Sequence, residues 1–138
     1  MLVVDASVAA LWSLPQAHAD LAADILASGI PLAAPSLLRL EVATPLLRAV
    51  RRGEMEPQQA RRFLEVLLQQ SVLLTHEPAD DLRAFGIAHA HGGSVLDALY
   101  VAVAQRAGAR LVTNDRQMHR TALAAGVVCR LLPEGPPW

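Results

Sequence analysis

The sequence predicts an α/β fold in which a parallel sheet carries helices on both faces. Short apolar runs rich in β-branched residues alternate with longer segments of helical periodicity. Those longer segments have the length of the crossovers that parallel strands require. The 138 residues, 53% of them hydrophobic, suit one domain with one core.

Leu2–Val4 reads as a buried strand that ends at Asp5 and opens into a helix. Apolar periodicity continues through Val8, Leu11 and Trp12, pauses at Pro15, and resumes at Leu21, Ile25 and Leu26 before Gly29 stops it. Ser36 is the expected N-cap of a helix carrying Leu37, Leu40, Leu47 and Val50, ending near Gly53. Pro57 suits the first turn of the next helix, which carries Phe63, Leu64, Leu67 and Leu68. A strand is expected from Ser71 to Thr75, a helix from Pro78 to His91, a break at Gly92 and Gly93, and a helix from Ser94 to Ala107. Gly108 ends that helix. Arg110–Thr113 reads as a buried strand, Arg116–Ala125 as a helix and Val127–Leu132 as the last strand. One domain over 1–132 is expected, followed by a loose tail over 133–138 with too little periodicity to pack.

Thirteen acidic against twelve basic residues give a formal charge of −1, which excludes a protein that coats nucleic acid by charge alone. All the basic residues are Arg, a composition shared by bidentate phosphate contact and by simple coding bias in an Ala-rich chain. Cys129 is the single cysteine and can form neither an internal disulfide nor a thiolate metal site. The N-terminus lacks the basic and long apolar stretches of a signal peptide, and no apolar run reaches membrane-spanning length; a cytoplasmic protein without membrane contact is expected.

Nine acids, Asp80, Asp81 and Glu134 among them, lie in polar stretches or on polar helix faces. Asp5, Glu41, Asp97 and Asp115 sit instead in apolar surroundings, where an unpartnered carboxylate is costly. Each admits a plainer role: Asp5 and Asp115 as helix caps, Asp97 in a capping box with Ser94, Glu41 paired with Arg39 or Arg48. Topology argues for more. Asp5 and Asp115 follow the carboxyl ends of expected strands, the edge where open α/β sheets bind ligands. Asp97 lies in the first turn of a helix that can face that edge, and Pro45 is expected to kink the helix at Glu41. Four converging carboxylates repel unless a cation compensates them. With all-oxygen donors, no cysteine and no histidine at ligand spacing, that cation is Mg²⁺ or Mn²⁺ rather than Zn²⁺. Such ions serve phosphodiester hydrolysis.

The blocks Val3–Val8, Pro35–Ala43, Leu96–Ala104 and Leu111–Asp115, in that order and spanning nearly the whole chain, resemble the PIN-domain family, in particular the VapC-type toxins of toxin-antitoxin pairs. The resemblance implies a three-layer α/β/α sandwich with a mostly parallel central sheet and Mg²⁺- or Mn²⁺-dependent endoribonuclease activity. It also implies homodimerisation and a cognate antitoxin peptide in the active-site groove. By position, Asp5, Glu41, Asp97 and Asp115 match the family's acidic quartet, and Ser7 and Thr113 match hydroxyl residues that support it. Thr44 stands where these toxins often carry Asn, and Leu96 where Tyr commonly precedes the Asp, departures that bear on groove shape and substrate choice.

Arg116, beside Asp115, is a candidate contact for RNA phosphate or antitoxin. Arg48, Arg51, Arg52, Arg61 and Arg62 suit either such contacts or a solvated face. His89 and His91, two apart on a helix, face different directions and read as a helix end, while Tyr100 and Trp12 read as packing. Two rivals remain: a PIN-like binding module without catalysis, and a phosphoacceptor signalling domain, against which the absence of any Lys counts.

Overall fold

The computed structural model describes the backbone of residues 1–138 and every side chain except that of Leu67, one of the apolar residues of the expected fourth helix, which lies outside the described side chains. The chain runs β1 (Leu2–Val4), α1 (Ala6–Ala9) with a 3-10 turn over Ala10–Trp12, α2 (Ala19–Ala27), β2 (Leu32–Ala34) and α3 (Leu38–Arg51). Next come α4 (Pro57–Arg62), a π-helical turn over Phe63–Leu67, α5 (Leu68–Ser71), β3 (Val72–Leu74), α6 (Pro78–His91) and α7 (Val95–Ala107). β4 (Arg110–Thr113), α8 (Arg116–Ala124), β5 (Cys129–Leu131) and a 3-10 turn over Leu132–Glu134 complete it.

All five strands are parallel, in the order β3-β2-β1-β4-β5. β1 is central: Val3 lies opposite Ala33 of β2 on one side and Leu111 of β4 on the other. The chain winds outward from β1 through β2 to β3, then returns to lay β4 and β5 on the opposite flank. The reversal falls between β1 and β4, and the crevice beyond the carboxyl ends of strands at such a point is where this architecture places ligands.

Every residue of β1 and β2, and Leu111–Thr113 of β4, is buried. Successive strand side chains point to opposite faces, so both faces of the central sheet are covered. α7 packs on β1 and β4 and is buried without a break from Ala98 to Ala104. α6 packs along it on the outside, and α8 covers β4 and β5.

The structure departs from the sequence expectations at several points. β2 escaped assignment because three residues between Pro31 and Pro35 carry no readable alternation. Ser36 does not cap α3: the helix starts at Leu38 with no side-chain cap, and the Leu38 N–H goes to the Pro35 carbonyl. The buried stripe of α3 is Leu38, Val42, Leu46 and Ala49, whereas Leu40 and Leu47 are exposed. This helix carries two interleaved apolar stripes, and periodicity alone does not choose between them. The helix spans Leu38–Arg51 with Pro45 inside it.

The segment 133–138 is not loose. The Arg130 guanidinium donates to the carbonyls of Glu134, Gly135 and Pro136, and Trp138, only 6% exposed, joins the core. One aromatic anchor and one arginine satisfying three carbonyls fix a segment with no periodicity to announce it. A buried acid was also missed. Asp80 is 1% exposed and takes a bidentate pair from Arg106 at 2.8 and 2.9 Å, while the same guanidinium donates to Thr75 Oγ1 at 2.9 Å. This cluster ties the β3–α6 corner to α7.

Candidate active site

Asp5 follows β1 directly and sits at the N-cap of α1 with extended backbone (φ −98°, ψ 176°). Its Oδ1 accepts from Ser7 Oγ at 2.7 Å and from the Val8 N–H at 3.1 Å. Its Oδ2 accepts from Thr113 Oγ1 at 2.6 Å, which stitches the carboxyl end of β1 to that of β4. Behind each hydroxyl stands a backbone amide: the Asn114 N–H donates to Ser7 Oγ and the Asp115 N–H to Thr113 Oγ1, both at 2.9 Å. Each hydroxyl accepts from the β4–α8 corner and passes its own proton to Asp5. Both are thereby held as donors. Burial nevertheless pushes the Asp5 pKa up to about 6 against these three hydrogen bonds, with the charge of Asp115 adding to the rise.

Asp115 caps α8, its Oδ1 accepting the Met118 N–H at 2.8 Å, and its side chain is exposed. Asp97 stands in the first turn of α7; its N–H donates to Ser94 Oγ at 3.0 Å, and its half-buried carboxylate accepts no hydrogen bond among the described residues. Burial raises its pKa, and the charge of Asp115 raises it further. Glu41 projects from the first turn of α3 and accepts the Tyr100 hydroxyl proton on Oε1 at 2.8 Å. Its pKa is also raised by burial, with Asp97 contributing.

The capping roles are therefore real and do not exclude another. All four acids, with Ser7, Tyr100 and Met118, line one cavity of about 180 Å³ at the β1–β4 switch point. Among the described residues no arginine or histidine pairs with any of the four; the ion pairs join His76 to Asp81, Arg106 to Glu77 and Asp80, and Arg130 to Glu134. Glu41 in particular makes no pair with Arg39 or Arg48.

As the side chains lie, no group of three histidine, cysteine or acidic side chains among the described residues is placed to hold a metal ion. The donor chemistry still fits a hard divalent cation. Glu41 Oε2, Asp115 Oδ2 and both Asp97 oxygens accept no hydrogen bond among the described residues. All four acids line the same cavity, and carboxylates are the ligands such ions take.

Tyr100 is the residue that sequence reading missed. Its core-like spacing is real, since it is 1% exposed, but three residues after Asp97 it shares the acid's helix face and reaches Glu41 on another helix. Trp12 does pack, its indole N–H donating to the Ala22 carbonyl at 2.9 Å. His89 is exposed and stacks on Phe85, away from the acids. Cys129 is buried and its thiol is pushed up to about 12 by that burial. Arg116 is exposed and does not line the acidic cavity; it faces a neighbouring one.

The PIN domain family model matches residues 2–123. Ribonuclease VapC3 of Pyrobaculum aerophilum is 37% identical over 119 residues, covering 85% of this chain and 91% of that protein. Among solved structures, PAE2754 from Pyrobaculum aerophilum superposes with a TM-score of 0.70 at 27% identity, covering 93% of this chain and 89% of that one. Mycobacterium tuberculosis VapC20, described as a Sarcin-Ricin loop cleaving toxin, gives the same TM-score at 22% identity over 93% of this chain and 97% of its own, a likeness of fold. The chain belongs to the PIN domain family, among its VapC-type members.

Proposed function

We propose that the chain is an RNA-cleaving hydrolase, the endoribonuclease toxin of a toxin-antitoxin pair, working with Mg²⁺ or Mn²⁺ at Asp5, Glu41, Asp97 and Asp115. One observation carries the reading: four acids from four separate segments line a single cavity at the topological switch point, with no basic side chain paired to them. A bound divalent cation would supply charge neutralisation and Lewis acidity for phosphodiester hydrolysis by water. Asp5, locked by three hydrogen bonds, sets the geometry; Asp97 and Asp115 lie nearer solvent and adjust to the substrate. Ser7 and Thr113 are committed to Asp5 and have no histidine partner, so neither is an activated nucleophile.

A cognate antitoxin peptide in the same groove and a homodimer complete the proposal. The homodimer draws support from the exposed apolar side chains Leu82, Phe85, Val95 and Leu96 on α6 and α7. Among the described residues, no helix is long and apolar enough to cross a membrane. The test presents the purified protein with single-stranded RNA and with DNA of matched sequence, in Mg²⁺, in Mn²⁺ and in EDTA. Cleavage of RNA alone, and only with a metal, is expected; cleavage that persists in EDTA overturns the metal role.

A further inference from the structure

The acid-lined cavity, at about 180 Å³, has room for ions, waters and a phosphate group, whereas sites for small organic ligands begin near about 300 Å³. A nucleotide must therefore be held beside it. A second cavity of about 580 Å³ opens on the other side of the β4–α8 corner, with Leu11, Gln16, His18, Asn114, Arg116 and Glu134 among its lining. The two cavities share a wall. Ser7 and Asp115 face the first, Asn114 and Arg116 face the second, and the Asn114 N–H to Ser7 Oγ hydrogen bond spans the boundary.

The side chains of Gln16, His18, Asn114 and Arg116 make no hydrogen bond or ion pair among the described residues, so their polar atoms are available to a ligand. His18 is the one non-glycine residue at positive φ (69°) among the described residues. A built loop holds it there: the Gln16 N–H goes to the Leu14 carbonyl, the Ala19 N–H to the Gln16 carbonyl, and the His18 carbonyl accepts the Ala22 N–H that starts α2. Strained positions of this kind gather at ligand-holding sites.

We infer that this cavity is a nucleotide subsite, seating the nucleotide next to the scissile phosphodiester, with Arg116 on a flanking phosphate and Gln16 and His18 at the base. The inference rests on the RNA-cleavage reading above. The guanidinium fork matches phosphate, the Gln16 amide offers one donor and one acceptor edge to a base, and an imidazole ring gives a stacking face. Glu134, which lines the same cavity and lies 3.9 Å from Arg130, disfavours a phosphate beside it, and a carboxylate of this kind would accept from a base's exocyclic amine.

The test measures binding of a fluorescent single-stranded RNA by anisotropy in Ca²⁺, and cleavage of an RNA panel permuted at each position in Mn²⁺, for wild type, Arg116→Ala, Arg116→Lys, Gln16→Ala and His18→Gly. Glycine accepts the His18 backbone conformation, so the loop is preserved. Arg116→Ala should weaken binding of every sequence by about tenfold and lower the slope of log Kd against log salt by about one, and Arg116→Lys should retain most of the affinity. Gln16→Ala and His18→Gly should leave the salt slope alone and flatten base preference at one position. An unchanged slope in Arg116→Ala together with unchanged preference in the other two overturns the subsite even if RNA is cleaved. Weaker, less salt-dependent binding by Arg116→Ala in a protein whose wild type cleaves nothing supports the subsite and overturns the hydrolase.

Discussion

The Tyr100 hydroxyl donates to Glu41 Oε1 at 2.8 Å, joining α7 to α3 across the acidic cavity. Burial and the neighbouring carboxylate both raise the pKa of Tyr100, so the phenol stays a proton donor at any working pH. The bond favours the charged form of Glu41 and fixes its rotamer. Tyr100→Phe should lower RNA cleavage by about tenfold, as loss of a partner that orients a ligand does, while changing stability by no more than about 1 kcal/mol. Losing a bond that depresses the Glu41 pKa raises it further, so the acid limb of the pH-rate profile should move to higher pH. Unchanged cleavage and an unchanged profile would reduce Tyr100 to packing.

Asp5 separates capping from metal binding. Asn caps a helix about as well as Asp, whereas Ala loses about 1 kcal/mol, so Asp5→Asn should keep metal-free stability and Asp5→Ala should not. The charge-free amide should abolish cleavage and the rise in melting temperature on adding Mn²⁺. Melting curves with and without Mn²⁺, beside RNA cleavage, decide; a fully active Asp5→Asn would leave Asp5 a cap.

The same residue gives a pH signature. Its folded pKa, about 6 against an ordinary 3.8, means that between those values the folded state holds a proton the unfolded state has lost. Stability from this group is present below about pH 4 and is lost as pH rises through 6, on the order of 3 kcal/mol in all, with Glu41 and Asp97 shifted in the same direction. In EDTA the melting temperature should carry a component that falls from pH 4 to 6 in wild type and is missing in Asp5→Asn. A wild-type curve superimposable on the variant's across that window would mean the buried carboxyl is not protonated there.

Asp80 and Asp81 are adjacent and should behave differently. Asp80→Asn leaves the Arg106 guanidinium without its buried partner and should cost about 3 kcal/mol; Asp81→Asn, on an exposed pair with His76, should cost little. The Asp80 pKa is lowered by Arg106, so its contribution is present above the ordinary Asp range and is lost as pH falls below it. Both variants should cleave RNA if folded. Urea denaturation gives the measure, and equal midpoints would contradict the burial of Asp80.

Trp138→Ala should destabilise by about 3 kcal/mol, the usual range for removing a buried large aromatic side chain. A change within a few tenths, read from the same urea midpoints, would mean that residues 133–138 do not pack as described.

The acidic site was legible because Asp5, Glu41, Asp97 and Asp115 sit in apolar runs, where a charge needs a reason, and because two of them follow strand ends. Asp80 was illegible for the converse reason: it lies in a polar stretch, and its partner Arg106 arrives from 26 residues away. Helices with one apolar stripe are legible in their periodicity, but α3 carries two: Leu38, Val42, Leu46 and Ala49 are buried, Leu37 and Val50 pack at the margin of the core, and Leu40 and Leu47 are exposed. β2 is too short for periodicity, and residues 133–138 are held by a single tryptophan and an arginine. Long-range pairing of single residues leaves no periodic trace, which is why the Tyr100–Glu41 bond appeared only in the fold.

The most direct measurement is the rate of cleavage of a fluorescent single-stranded RNA as Mn²⁺ is titrated from EDTA, for wild type and Asp97→Asn side by side. Wild type should be inactive in EDTA and rise to saturation with Mn²⁺, and Asp97→Asn, folded by its melting curve, should stay inactive throughout. A wild-type rate independent of Mn²⁺, or an Asp97→Asn rate equal to wild type, would contradict a metal-dependent site built from the four acids.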